Sequence, residues 1–261
     1  MDNYLRNTWY AAAWEQEIEG AAVLPRILLD VPRILYRRSD GSGYVMLRDR
    51  CPHRFAPLRL GTRSGDNIAC AYHGLTFGPA GNCVHNPFSP TPSPPVCIES
   101  TPVIARHGLV WFWPGDPSQV DAAQIPDFAF LDGQDVWRRR SHFRGNYELL
   151  VDNLMDLSHV DFLHRATFNT NSTHAEAVHE VRDGDGNTLW NTWLIPRVKK
   201  FPVLDGHFAD DEPIDQHTEM RWDAPASMAL RLSWLPAGGS VSDARFTMIN
   251  PHIITPETTS T

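Results

Sequence analysis

No run in this sequence approaches eighteen consecutive apolar residues, and no basic N-terminal stretch leads into an apolar core. Neither a membrane span nor a signal peptide is therefore expected. Basic charge is in deficit: 23 Lys and Arg against 31 Asp and Glu leave a formal net charge of −8. A general nucleic-acid or anionic-membrane partner is expected to be absent, since both are drawn to basic surfaces. No G-x-G-x-x-G fingerprint occurs, which excludes a Rossmann-type dinucleotide site. Cysteine is scarce, with four in 261 residues. Two of them, Cys83 and Cys97, stand outside the pairs described next, so no disulfide is expected to clamp those pairs together. There is no internal repeat.

What is present is concentrated. Cys51-Pro-His53 and Cys70-Ala-Tyr-His73 each join one thiolate to one imidazole, and sixteen residues separate them. Two sulfur and two nitrogen donors are the set of a Rieske [2Fe–2S] centre, in which two His replace two Cys on one iron and raise its potential. A structural Cys2His2 zinc site takes the same ligand types, but its spacings usually pair Cys with Cys and His with His. The cluster is the better reading. Gly61 after the first pair and Gly74 directly after the second supply the backbone latitude that a wrapping loop needs.

A second constellation lies in Asn153-Leu-Met-Asp156-Leu-Ser-His159-Val-Asp161-Phe-Leu-His164. Two histidines with carboxylates in one segment are the makings of a 2-His-1-carboxylate triad, which leaves coordination positions on Fe(II) open for O2. Asp156 and His159 are three apart and share a helical face. His164 is five beyond His159 and would rotate away on an ideal helix, so a distortion such as a π-bulge, or a helix end, must bring the rings together. A one-electron cluster upstream gives this weak motif its weight, because the electrons need a site of use.

The length fits two modest domains. A hydrophobic content of 42% with nine tryptophans suits packed cores, and 21 prolines against 17 glycines indicate many loops and short strands. Residues 1–118 alternate short apolar stretches (Arg26 to Leu29, Ile34 to Tyr36, Tyr44 to Leu47, Leu109 to Trp113) with turn residues, as a small antiparallel β domain does. Pro87 to Pro95 reads as a stiff extended loop, and Pro114 to Pro126 as a linker. Within residues 119–261, Tyr147 to His164 is the most helical stretch, its apolar stripe formed by Leu149, Leu150, Leu154, Leu157 and Val160. Strand-like segments follow at Leu189 to Ile195, Met228 to Trp234 and Ala244 to Ile249. The expected fold is α+β: an antiparallel β domain, then a catalytic domain with an antiparallel sheet behind an iron-binding helix. On one such strand Arg231 alternates with apolar neighbours and is a candidate to anchor a substrate carboxylate.

The boxes from Cys51 to Pro57 and from Cys70 to Gly74 resemble those of Rieske non-haem iron oxygenases. The resemblance runs from Arg6 to Tyr10, through His107 to Pro114 and Asn153 to His164, to Pro251 to Pro256. It is to the oxygenase component of the vanillate O-demethylase branch. It implies that Cys51, His53, Cys70 and His73 hold the [2Fe–2S] cluster, that His159 and His164 bind mononuclear Fe(II), and that Asp156 bridges an iron-ligand histidine to a cluster histidine of the neighbouring subunit. Reduced, metal-bound cysteines fit a cytoplasmic chain, and the resemblance further implies a homotrimer when complete, O2 and an aromatic acid as substrates, and a separate NAD(P)H-dependent reductase or ferredoxin. Hydroxylation of an O-methyl group would give a hemiacetal that collapses to a phenol and formaldehyde. An electron carrier, an inactive fragment and an aromatic ring hydroxylase are the alternatives. His252, within the resembling stretch, is a second pocket candidate.

In the family the third iron ligand is an aspartate more than one hundred residues past the second histidine. Only 97 residues follow His164 here, so the chain is expected to be C-terminally incomplete and to lack that ligand. Asp161, Asp205, Asp215 and Glu219 are in range by sequence, and nothing singles one out.

Overall fold

The computed structural model describes residues 3–19, 22–89, 96–164 and 176–260. They form two compact units, Met1–Asn146 with Thr255–Thr261, and Tyr147–Ile254. All pairings between strands are antiparallel. From Pro90 to Pro95 the expected extended loop lies outside the described residues. Among those described, no helix is long and apolar enough to cross a membrane.

The first unit holds three small sheets. One runs β1 (Tyr10–Trp14), β11 (Leu109–Phe112), β10 (Val103–Arg106); β1 leads into a single-turn helix, α1 (Glu15–Glu19). A second runs β2 (Leu24–Leu28), β3 (Val31–Arg37), β4 (Tyr44–Arg48), β9 (Ser100–Thr101). The third runs β5 (Thr62–Ser64), β6 (Asn67–Ala69), β7 (Thr76–Phe77), β8 (Cys83–His85). Ile34, Tyr36, Val45 and Leu47 from the second sheet pack with Ile68 and Phe77 from the third in one apolar core, and Cys51 and Cys70 belong to that core. The Tyr36 hydroxyl donates to the Asp66 carbonyl, and burial pushes its pKa up to about 12. Residues 114–126, read from sequence as a linker, are held by this unit. Trp9 Nε1 donates to the Asp121 carbonyl, and the Asp116 and Asp121 side chains cap two 3-10 turns.

The second unit is one five-stranded meander in sequence order: β12 (Val178–Asp183), β13 (Thr188–Val198), β14 (Ile214–Asp223), β15 (Ser227–Pro236), β16 (Phe246–Ile253). Before it come α2 (Tyr147–Met155) and α3 (Val160–Leu163), with a 3-10 turn at Leu157–His159 between them. No residue of α2 is buried and Leu149 is 63% exposed, so only the C-terminal part of the expected stripe (Leu154, Leu157, Val160) faces a cavity.

Gly61 corrects one expectation. Its φ of −82° is open to any residue; glycine is needed because a Cβ there would stand 2.1 Å from the Ala69 carbonyl oxygen. Gly74, at φ +71°, does use its latitude. We predict that Gly61→Ala destabilises the first unit by about 2 kcal/mol or more, lowering its melting temperature by about 4–8 °C. Calorimetry showing an unshifted transition would contradict this reading.

Candidate metal centres

The two ligand loops of the first unit close in the same way. Cys51 N donates to Ala56 O (2.9 Å) and Cys51 O accepts from Phe55 N (2.8 Å). Cys70 N donates to Leu75 O (2.8 Å) and Cys70 O accepts from Gly74 N (2.9 Å). Each loop turns through a left-handed residue four places after its cysteine, Phe55 at φ +61° and Gly74 at φ +71°. Phe55 tolerates this strained conformation with its ring against the Arg50 guanidinium, 3.9 Å from the ring centre.

This closure sends the cysteines inward and the histidines outward. Cys51 and Cys70 are 2% and 3% exposed, with their thiols in contact. His53 is exposed and His73 half-buried, their ring centres 4.6 Å apart, with Tyr72 at 3.9 Å from His73. Burial pushes the Cys51 thiol up, while the backbone N–H groups of His53 and Arg54 act to hold it down. A metal would remove that proton outright, and N–H donors to sulfur tune a cluster's potential. Among the described residues no three His, Cys, Asp or Glu side chains converge on one ion position. A tetrahedral zinc needs four on one ion. A buried sulfur pair beside an outward nitrogen pair fits two irons that each take two protein ligands.

In the second unit the segment from Tyr147 breaks instead of bulging. Helix α2 makes its last bond from Asp156 N to Asp152 O (3.0 Å), and Asp156 then leaves helical geometry at φ −82°, ψ +88°. His159 and His164 bracket the one turn of α3, and their ring centres lie 5.2 Å apart. Both histidines lie past the break, and the segment between them keeps helical geometry up to its looser end at His164 (φ −110°, ψ +26°), so the rings meet across a helix end. His159 Nδ1 lies within hydrogen-bond reach of the Asp156 carbonyl oxygen. With Nδ1–H donating there, Nε2 carries the lone pair that a metal takes.

Residues 8–102 match the model of the Rieske [2Fe-2S] domain, and residues 143–261 that of the vanillate O-demethylase oxygenase C-terminal domain. The chain is 37% identical to the oxygenase component of dicamba O-demethylase from Stenotrophomonas maltophilia, over 98% of its own length and 75% of that protein. It is 34% identical to the iron-sulfur subunit of the toluene-4-sulfonate monooxygenase system of Comamonas testosteroni, over 99% and 76%. The crystal structure of dicamba monooxygenase bound to 3,6-dichlorosalicylic acid superposes with a TM-score of 0.86 at 36% identity, covering 98% of this chain and 75% of that one. The chain belongs to the Rieske non-haem iron oxygenases. It is an oxidoreductase of the monooxygenase type, and its cofactors are a Rieske [2Fe–2S] cluster and a mononuclear non-haem iron.

In this Rieske oxygenase a cavity of about 780 Å3 opens beside His159 and His164. Its floor is one face of the sheet, set by strand alternation. Trp193 of β13 lies across from Thr218 of β14, which faces Leu232 of β15, which faces Met248 of β16. The neighbouring rows bring in Gln216, Met220, Leu230, Trp234 and Asn250. Among the described residues no charged side chain lines it.

Arg231 falls on the other side of this alternation: it is exposed, opposite Glu219, and does not line the cavity. His252 does line it, with Nε2 buried and without a hydrogen-bond partner, and desolvation lowers its pKa. Asp215 accepts from Arg197 N and Gly238 N, Asp205 pairs with Lys200, and Glu219 lies near His217, so none of the three lines the cavity. Asp161 lies on α3, its side chain outside the described residues. Gln216, Thr218 and Asn250 escaped the sequence reading. For the first two the period-2 pattern of β14 was the available signal, obscured because polar residues occupy both of its faces.

Asp156 is exposed and caps the 3-10 turn, accepting from Ser158 N (3.0 Å) and Ser158 Oγ (2.6 Å). The Ser158 hydroxyl, foremost, holds its carboxyl below the usual carboxylate range. A carboxylate depressed in the folded state adds stability above its unfolded pKa and loses it as pH falls through the folded value. We predict that Ser158→Ala moves the Asp156 pKa upward and narrows that acid-side stability difference, checked by NMR titration of the metal-free chain. An unmoved Asp156 would contradict the assignment.

Proposed function

We propose that this chain is the oxygenase component that removes the methyl group of a methoxylated aromatic acid. O2 and electrons from a separate NAD(P)H-dependent reductase or ferredoxin drive the reaction, in the cytoplasm. Residues 1–118 serve the cluster and residues 119–261 the oxygen chemistry. Cys51 and Cys70 hold one cluster iron, His53 and His73 the other. His159 and His164 are two protein ligands of the mononuclear Fe(II), which when bound supplies the activation of O2.

The observation that carries this reading is the apolar cavity beside His159 and His164, with isolated neutral polar groups on its wall. Such a lining takes up an aromatic ring and orients it by a few hydrogen bonds. His252, kept neutral by burial, presents the unpartnered Nε2 as a donor to a substrate oxygen. With no charged lining among the described residues, an acid group is recognised by N–H donors instead of an ion pair. One oxygen atom enters a methyl C–H bond and the other leaves as water, consuming two electrons and two protons. The resulting hemiacetal releases formaldehyde and leaves a phenol. In a homotrimer Asp156 links the two centres, its carbonyl oxygen holding His159 Nδ1 of its own chain and its exposed carboxylate reaching a cluster histidine of the neighbour, an arrangement a head-to-tail ring closes.

The test supplies reductase, NAD(P)H, O2 and a methoxylated benzoate, and measures formaldehyde against O2 consumed. We expect equal amounts. His252→Phe should raise KM about tenfold or more, the loss of one buried hydrogen bond, with the cluster spectrum unchanged. A hydroxylated ring with no formaldehyde would replace demethylation by ring hydroxylation.

A further inference from the structure

Asn191 is a polar residue in the middle of β13, only 9% exposed, on a strand that otherwise contributes apolar side chains to the cavity. Its amide is engaged at both ends. Nδ2 donates to the Met155 carbonyl at 2.6 Å, and Oδ1 lies 2.9 Å from His179 Nε2. The amide orientation is fixed by chemistry: reversed, its oxygen would face the Met155 oxygen with no proton between them. His179 is fixed in turn, stacked on Trp193 with ring centres 4.3 Å apart and 23° between planes.

Met155 is the last residue of α2, and its carbonyl is one of the four that a helix end leaves without an intrahelical partner. The next residue is Asp156, where the chain departs from helical geometry. The following carbonyl, Asp156 O, is met by His159 Nδ1. The two carbonyls on either side of the break are therefore held by two side chains, one from the sheet and one from the metal-binding segment itself. Without the first, the end of α2 loses its tie to the sheet, and the segment that carries both histidines loses its fixed place beside the cavity.

We propose that Asn191 is a positioning residue for the mononuclear site. By capping Met155 it anchors the end of α2 to the sheet, holds the break at Asp156, and so sets where the segment carrying His159 and His164 sits beside the cavity. The claim rests on the reading that those two histidines are metal ligands, and it assigns to the sheet a part in metal binding that no contact with the metal would reveal.

The experiment uses the full chain with its cluster, in two variants. Asn191→Leu removes both hydrogen bonds at similar volume. Asn191→Asp keeps the acceptor toward His179 and cannot donate to Met155. Hydrogen exchange is followed in the metal-free mononuclear site, and Co(II) is titrated as a spectroscopic probe. The expected result is exchange about tenfold faster or more across residues 156–164, with β14 and β15 still protected. Co(II) affinity should fall about tenfold while the cluster spectrum stays unchanged, the scale on which outer contacts act on metal sites. A folded variant with unchanged exchange and unchanged Co(II) affinity overturns the proposal. A parent chain that binds no Co(II) overturns the ligand reading instead, and the exchange data then still decide whether Asn191 holds the break.

Discussion

The hydrogen bonds from Cys51 N to Ala56 O and from Cys70 N to Leu75 O close two loops of equal span, and the character of the cluster end follows from that closure. With each loop pinned to its own backbone, the thiols are driven into the apolar core and the imidazoles to the surface. Burial disfavours a bare Cys51 thiolate, which the charge of a bound metal would stabilise. We propose that the outward imidazoles are the neutral ligands on the side where an electron arrives or leaves; neutral ligands favour the reduced state. The two turns reach their left-handed residue by different means, Gly74 without strain and Phe55 at a steric cost offset by its cation–π contact.

In the second unit we propose that two histidines five residues apart, His159 and His164, serve one ion. The chain leaves α2 at Asp156 and carries the pair on a separate single turn, α3, whose end at His164 departs from helical geometry. The sheet contributes in two ways. Alternation puts every second side chain of β13 to β16 on the cavity floor, so register alone decides which residues a substrate meets. The same face carries Asn191, which reaches back to the end of α2.

Much of this was legible because the chemistry is local. Cys51, His53, Cys70 and His73 stand in two short segments, and His159 and His164 in one, so spacing sufficed to pair them. The strands at Ile34, Tyr44, Leu109, Leu189 and Met228 were marked by apolar runs. β14, central to the second sheet, was not, because Asp215, His217, Glu219 and Arg221 alternate with residues that are themselves often polar. A distortion or helix end was anticipated, but the hydrogen bond from Asn191 to the end of α2 comes from a distant strand and no local pattern encodes it. Arg231 and His252 illustrate the limit. Both are polar residues in strand-like segments, and only register distinguishes the exposed arginine from the cavity histidine.

The account stands or falls on the metal that the two Cys-His loops hold. Iron, zinc and acid-labile sulfide should be quantified in anaerobically purified chain, with an EPR spectrum after reduction. The account predicts about two cluster irons and two labile sulfides per chain, with the signal of a reduced [2Fe–2S] centre having mixed sulfur and nitrogen ligation. Stoichiometric zinc with no labile sulfide would contradict it.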